Sequence, residues 1–372
     1  MTSTASKATR AVRASIESDT QHGAVVPPLH LSSNFAFAGF GEKRQYDYTR
    51  SGNPTRDALA DALCELEGGA GAVVTSSGMA ALTLLTQLLE PGDVIIAPHD
   101  CYGGTFRLFE QQSKKGLFEV RFVDQTDLEA LRAACACGPK IILTETPSNP
   151  LLRIVDISAI ADIALHCGAL FAVDNTFLSP AVQNPIEFGA DLVIHSTTKY
   201  INGHSDVDVG CVVAATEELA EKIDYWANCI GITGAPFDRF MTLRGIRTLH
   251  PRIRQHEENA ALLANALDEH SQVDRVYYPG LATHPGHEIA RRQQRGFGGM
   301  ISFEIKGGGA AVKTFVEHLK YFSLAESLGG VESLVCHPAS MTHAPVSYTH
   351  LRAHETAMNI SYAVFCLKRG GG

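Results

Sequence analysis

Between residues 59 and 250, apolar residues fall in short runs, each closing on polar or glycine-rich sequence. The runs are Ala72–Thr75, Val94–Ala97, Glu119–Val123, Ile141–Thr144, Leu170–Val173, Leu192–Ile194 and Cys211–Ala214. Short runs bounded by turn formers predict buried strands. Helical patterns lie between several of them, as in Met79–Leu89, which Pro91-Gly92 stops. This alternation predicts an α/β domain built on a mostly parallel, seven-stranded sheet, with ligands at the carboxyl ends of its strands. Residues 1–58 show no sustained periodicity and carry Pro27-Pro28 and Ser51-Gly52-Asn53-Pro54. They read as an extended arm packed on another subunit. Asn53 caps and Pro54 opens a helix through Leu59, Leu63 and Leu66, which Gly68-Gly69 ends. From Arg252 a long helical pattern, Asn259–Leu267, leads into a smaller α/β unit over 251–345. That unit holds a strand at Met300–Ile305 and a helix at Ala310–Leu319.

Composition narrows the function classes. A chain of 372 residues, 45% hydrophobic and 19% charged, buries a large core and suits a two-domain globular enzyme. A formal net charge of −9 argues against nucleic acid as a partner. No apolar run approaches the roughly 18 residues of a membrane span. Met1–Ala14 lacks an apolar signal core, so a cytoplasmic location is expected. Cys135 and Cys137 are too close for a usual zinc pair and have no second pair, so the nine cysteines are read as reduced thiols. His337, His343, His350 and His354 do not form a helical H-E-x-x-H pattern, and no metal is expected.

The candidate chemistry lies at the strand ends. Ala70-Gly-Ala-Val-Val-Thr-Ser-Ser-Gly-Met79 reads as strand, turn and helix start, where backbone N–H groups make an anion site. Gly78 permits close approach there, and Ser76 or Ser77 caps the helix. The next strand ends at Pro98-His-Asp-Cys-Tyr-Gly-Gly104, which presents the Tyr102 ring on a glycine-rich loop. Asp174 directly follows a buried strand, and a pyridine cofactor needs a carboxylate of that kind at its ring nitrogen. Lys199 lies twenty-five residues on, beyond the hydroxyls of Ser196 and Thr198, where a lysine amine serves Schiff-base chemistry with pyridoxal phosphate (PLP). Each part alone also has an ordinary reading: a capped helix, a core aromatic, a capping aspartate, a solvated lysine. Their order on four strand ends is what points to a cofactor.

Longer motifs carry a resemblance. They are Pro27-Pro-Leu-His-Leu-Ser-Ser33, Tyr46-Asp-Tyr-Thr-Arg-Ser-Gly-Asn-Pro-Thr-Arg56, Glu145-Thr-Pro-Ser-Asn-Pro150, Val173-Asp-Asn-Thr176, Ser196-Thr-Thr-Lys-Tyr200, Asn202-Gly-His-Ser-Asp206 and Ala325-Glu-Ser-Leu-Gly-Gly-Val-Glu-Ser333. From about Thr9 to His343 the chain resembles the Cys/Met-metabolism PLP enzymes of fold type I, the aspartate-aminotransferase-like fold. The resemblance implies that Lys199 is the Schiff-base lysine, that Asp174 pairs with the pyridinium, and that Tyr102 stacks on the ring. It gives the phosphate to Gly78, Met79, Ser196 and Thr198. It assigns Tyr48 and Arg50 to a neighbouring subunit's cofactor, implying a homodimer as the catalytic unit, usually paired into a tetramer. Asn149, Ser327 and Glu326 would contact substrate or cofactor, and Arg107 a distal carboxylate. The implied activity is γ-replacement of O-succinylhomoserine by cysteine. A sulfhydrylase and a γ-lyase are alternatives within the family, and a PLP-binding scaffold without turnover is one outside that chemistry.

The end of the chain departs from the family pattern. After Met341-Thr-His-Ala344 the family continues through Arg-Leu/Ile-Ser-x-Gly-Ile/Leu-Glu, whose arginine grips the substrate α-carboxylate, and then a last helix. Here residues 346–372 show no equivalent segment. Arg352 is followed by Ala-His-Glu and is not given that role. This stretch reads as an atypical tail on an otherwise family-like chain.

Overall fold

The computed structural model describes residues 5–341 and 357–361. Seven strands build the larger sheet: β1 (Gly71–Thr75), β2 (Val94–Pro98), β3 (Glu119–Val123), β4 (Ile141–Glu145), β5 (Leu170–Asp174), β6 (Leu192–Ser196) and β7 (Gly210–Ala214). Their order is β1-β7-β6-β5-β4-β2-β3. Strand β7 runs antiparallel to both neighbours, while the other pairs are parallel. Each expected strand is present, with ends shifted by no more than two residues.

Helices cover both faces of this sheet, so its inner strands are apolar on both sides. On one face Leu59, Leu63 and Leu66 of the helix Pro54–Glu67 and Ile157, Ile160 and Ile163 of the helix Ile157–Cys167 pack against Phe171, Val173, Val193 and Val213. On the other, Leu82, Leu85, Phe109 and Ile223 pack against Ile95, Leu143, Ala172, Ile194 and Val212. Asn53 caps the first of these helices by accepting from Thr55 N and Arg56 N, and Gly68 ends it in the left-handed region.

A buried polar cluster ties that helix to the strands bearing the candidate site. Glu67, His195, Asn175 and Asn184 are all 0% exposed. The Glu67 carboxylate accepts from His195 Nε2 at 2.5 Å, Asn175 Nδ2 at 2.9 Å and Asn184 Nδ2 at 3.1 Å. Glu67→Gln turns an acceptor oxygen into a donor facing these donors. It should lower stability by about 1–3 kcal/mol, read as a fall in the urea midpoint at fixed protein concentration.

The second sheet holds β8 (Val273–Tyr277), β9 (Met300–Ile305), β10 (Ser323–Leu324), β11 (Leu334–Cys336) and β12 (Ala357–Ser361), in the order β10-β11-β12-β9-β8. The helix Leu249–Asp268 supplies Ala260 and Ala264 to its core, beside Val276, Ile301, Phe303, Met358 and Ile360. Residues 357–361 lie within the stretch read from sequence as a tail. They are instead an inner strand, antiparallel to both β11 and β9. Alternation explains it: Met358 is 0% exposed and Ile360 4%, a period-two pattern too short to stand out among polar neighbours. Arg352 and the rest of that stretch lie outside the described residues.

Candidate active site

The carboxyl ends of β1, β4, β5 and β6 converge on a cavity of about 790 Å³, within the range of small-molecule sites. Ten candidates line it: Gly78, Met79, Tyr102, Asn149, Asp174, Ser196, Thr198, Lys199, Glu326 and Ser327. Three do not. Tyr48 is 51% exposed on the arm. Arg50 donates from Nη1 to Asn228 O at 2.8 Å and Asn228 Oδ1 at 2.6 Å. Arg107 is exposed on the helix Gly103–Lys114, behind Tyr102.

At one end the helix Gly78–Thr86 points its N-terminus at the cavity. Ser77 is its cap, accepting from Ala80 N at 3.1 Å. A Cβ on Gly78 would meet Ser196 Cβ at 2.6 Å, so only glycine lets the helix start approach β6 this closely. Free N–H groups with the hydroxyls of Ser196 and Thr198 suit a phosphate. Thr198 Oγ1 here donates to Asp208 Oδ1 at 2.6 Å.

Lys199 follows β6 in a turn that is held from behind. Arg252, 4% exposed, donates to Tyr200 O at 2.6 Å, Ile201 O at 3.2 Å and Gly245 O at 2.9 Å. Gly203 has φ +70°, and a Cβ there would lie 1.8 Å from Arg252 Nη1. The Lys199 amine donates to Ser327 Oγ at 2.8 Å. Ser327 sits at φ 92°, in the region glycine favours, on the loop that crosses the lysine turn. Burial lowers the Lys199 ammonium from its ordinary range, with Asp208 and Glu326 opposing.

Across the cavity Asp174 ends β5. Thr176 N donates to its Oδ1 at 3.0 Å. Burial raises the Asp174 carboxyl, against the Thr176 hydrogen bonds and the nearby His195. A buried carboxylate facing a cavity and calling for a positive partner fits a pyridinium nitrogen. Tyr102 is 38% exposed, and burial raises its phenol while the charge of Arg107 opposes. An anion cradle, a half-buried amine, an acidic anchor and an aromatic wall together fit PLP.

Sequence reasoning assigned no role to Glu145, although its signal was that of Asp174: an acidic residue ending an apolar strand. It lines the cavity beside Thr176, Phe177, Asp206 and Asp208. Among the described residues no group of three His, Cys, Asp or Glu is placed to hold a metal. No two of the eight described cysteines are joined in a disulfide, and no described helix is long and apolar enough to cross a membrane.

A fold type I architecture and a lysine-bearing anion site define a PLP enzyme, and comparison gives its family. Residues 8–360 match the Cys/Met metabolism PLP-dependent enzyme family, and the chain belongs to it. It is 52% identical to cystathionine gamma-synthase of Escherichia coli (strain K12), over 97% of this chain and 95% of that protein. The crystal structure of cystathionine gamma synthase from Xanthomonas oryzae pv. oryzae in complex with cystathionine is 58% identical, with a TM-score of 0.95, covering 97% of this chain and 95% of that one. That of cystathionine gamma-lyase from Lactobacillus plantarum complexed with L-serine is 41% identical, with a TM-score of 0.92 and the same coverages of 97% and 95%.

Proposed function

We propose that this chain catalyses γ-replacement, converting O-succinylhomoserine and L-cysteine to cystathionine and succinate in methionine biosynthesis by transsulfuration. The Cγ–O bond breaks, a Cγ–S bond forms, and the thiol proton is released with succinate. The observation that carries the reading is the Lys199 amine, 2.8 Å from the Ser327 hydroxyl, in a cavity whose opposite wall is Asp174. The 52% identity to a named synthase supports it over the whole length.

When bound, PLP supplies an electron sink for the substrate carbons next to the amine. The chain's residues do the rest. Gly78, Met79, Ser196 and Thr198 hold the phosphate, Asp174 keeps the ring nitrogen protonated, and Tyr102 covers the ring face. Lys199 Nζ, with its lowered proton affinity, takes the substrate α-proton and returns protons along the carbon chain. The Ser327 hydroxyl holds that amine in place, and Asn149 and Glu326 line the substrate end. The family resemblance gives the succinyl carboxylate to Arg107, which stands outside the cavity lining on the helix that follows Tyr102; an arginine fork suits that group.

Assaying the purified chain with O-succinylhomoserine plus cysteine, sulfide or no thiol tests the reading. Cystathionine as the main product supports it. Homocysteine from sulfide at higher kcat/KM, or breakdown without a thiol, would replace it with a sulfhydrylase or a γ-lyase. A bound cofactor without turnover would leave a disabled scaffold.

We also assign Tyr48 and Arg50 to the cavity of a second copy, in a homodimer that pairs into a tetramer in the cytoplasm. The arm leaves apolar side chains uncovered in the single chain: Val25 is 66% exposed, Leu31 67% and Phe40 109%. Mixing Arg50→Ala with Lys199→Ala subunits should recover about a quarter of wild-type activity, since random pairing in a two-fold dimer gives one intact site in four. No recovery after subunit exchange, followed by mass spectrometry, would remove the shared site.

A further inference from the structure

Glu145 closes β4 with its side chain inside the protein, and the residue is 8% exposed. Its two oxygens are used by two different loops. Oε2 accepts from Tyr102 N at 2.8 Å, and Oε1 accepts from Asn149 N at 3.1 Å. One planar carboxyl thus joins the loop after β2 to the loop after β4. The same loops meet again where Ser148 Oγ donates to Asp100 Oδ2 at 2.6 Å.

Tyr102 needs such a tie. It starts the helix Gly103–Lys114 with no side-chain cap, and burial alone does not hold its ring. Below it, a Cβ on Gly104 would lie 2.5 Å from Tyr102 Cε1 and 2.8 Å from Met79 Sδ, so the ring rests directly on backbone. The Gly104 contact fixes how close the ring lies, and the Glu145 bond fixes where its backbone enters. On the Asn149 side, the loop is closed by Leu152 N donating to Ser148 O at 2.9 Å. Glu145 also stands directly opposite Asp174 on the neighbouring parallel strand. Burial and the Asp174 charge push the Glu145 carboxyl well above the ordinary range, with the two N–H bonds opposing.

Glutamate fits this job by its atoms. Two N–H donors from separate loops need two acceptors on one rigid group. Glutamine offers one acceptor and turns an NH2 toward the other donor. Alanine leaves both N–H groups bare.

We propose that Glu145 is a positioning residue that sets the Tyr102 ring and Asn149 as one unit against the ring of the bound cofactor. The inference rests on the reading that PLP occupies this cavity and adds to it a residue that acts through two others.

The test uses PLP-loaded Glu145→Gln and Glu145→Asp, each also combined with Tyr102→Ala. The readouts are the PLP dissociation constant, the circular dichroism of the bound cofactor's absorption band, and the melting temperature of the apo chain. Losing one hydrogen bond should weaken PLP about tenfold in Glu145→Gln and shrink the dichroic band, with apo melting little changed. In the Tyr102→Ala background the same substitution should cost clearly less affinity than in the wild-type background, because the part of its effect that runs through the ring is gone and only the part through Asn149 remains. Wild-type affinity and dichroism in both Glu145 variants would overturn the proposal. So would equal losses with and without the Tyr102 ring, or failure of both variants to fold, since each makes the carboxyl only a structural support. A wild-type chain that traps no cofactor on Lys199 with borohydride would instead remove the cofactor reading itself.

Discussion

Replacing Lys199 with alanine is expected to lower turnover by about 10⁴-fold and to abolish the borohydride-trapped cofactor adduct, because one group serves both as covalent anchor and as proton carrier. Among the described residues that line the cavity, Lys199 is the only lysine. Its amine is the one held by Ser327 at 2.8 Å, in a turn fixed by three bonds from Arg252. The direction of its proton affinity adds a pH test. Only the neutral amine attacks an aldehyde, and burial lowers Lys199 from the ordinary 10.5. The rate at which wild-type apo chain captures PLP should therefore rise with pH and level off below 10.5. Peptide mapping of the trapped adduct checks the residue. An adduct that persists on another lysine in Lys199→Ala ends the assignment.

How much of this was legible beforehand depends on the range of each signal. The inner strands of the larger sheet were readable because they are buried on both faces, which leaves an unbroken apolar run, whereas the edge strand β3, Glu-Val-Arg-Phe-Val, alternates. Asp174, Lys199 and the Ser77–Gly78 helix start were readable because each ends such a run or follows it within a few residues. Glu145 ends one as well, yet its role depends on two backbone N–H groups from loops 43 and 4 residues away. No local pattern encodes that pairing. The Glu67 cluster was illegible for the same reason, since its partners lie 108 to 128 residues distant. The arm shows a different limit. Tyr48 and Arg50 matched the family's motif, but the cavity proposed to receive them belongs to a second copy. Their meaning therefore appears in a single subunit only as exposed apolar residues and an arginine tied to Asn228.

Strand β12 carries the other large effect. The family pattern Arg-Leu/Ile-Ser was absent from the sequence by inspection, yet the fold places Asn359-Ile360-Ser361 in an inner strand of the second sheet. Ile360 packs in the core, and Ser361 Oγ accepts from Gly329 N at 3.1 Å on the loop that carries Ser327. The register sets Asn359 opposite Cys336, a residue that lines the cavity. In sequence, Asn359 precedes Ile360-Ser361 as the arginine of the family pattern precedes its Leu/Ile-Ser. Two charge-assisted bonds in a fork are worth about 1.5–3 kcal/mol each, so Asn359→Arg should raise kcat/KM for the amino-acid substrate by at least about 100-fold. The carboxylate is bound before and during the reaction, so most of the change should fall on KM, with a smaller rise in kcat. The cofactor dissociation constant should not move, which separates substrate anchoring from a general repair of the fold. A variant that binds PLP normally but shows unchanged kcat/KM would mean that another group already holds the carboxylate, and Arg107→Ala and Arg352→Ala would then identify it by the loss each produces.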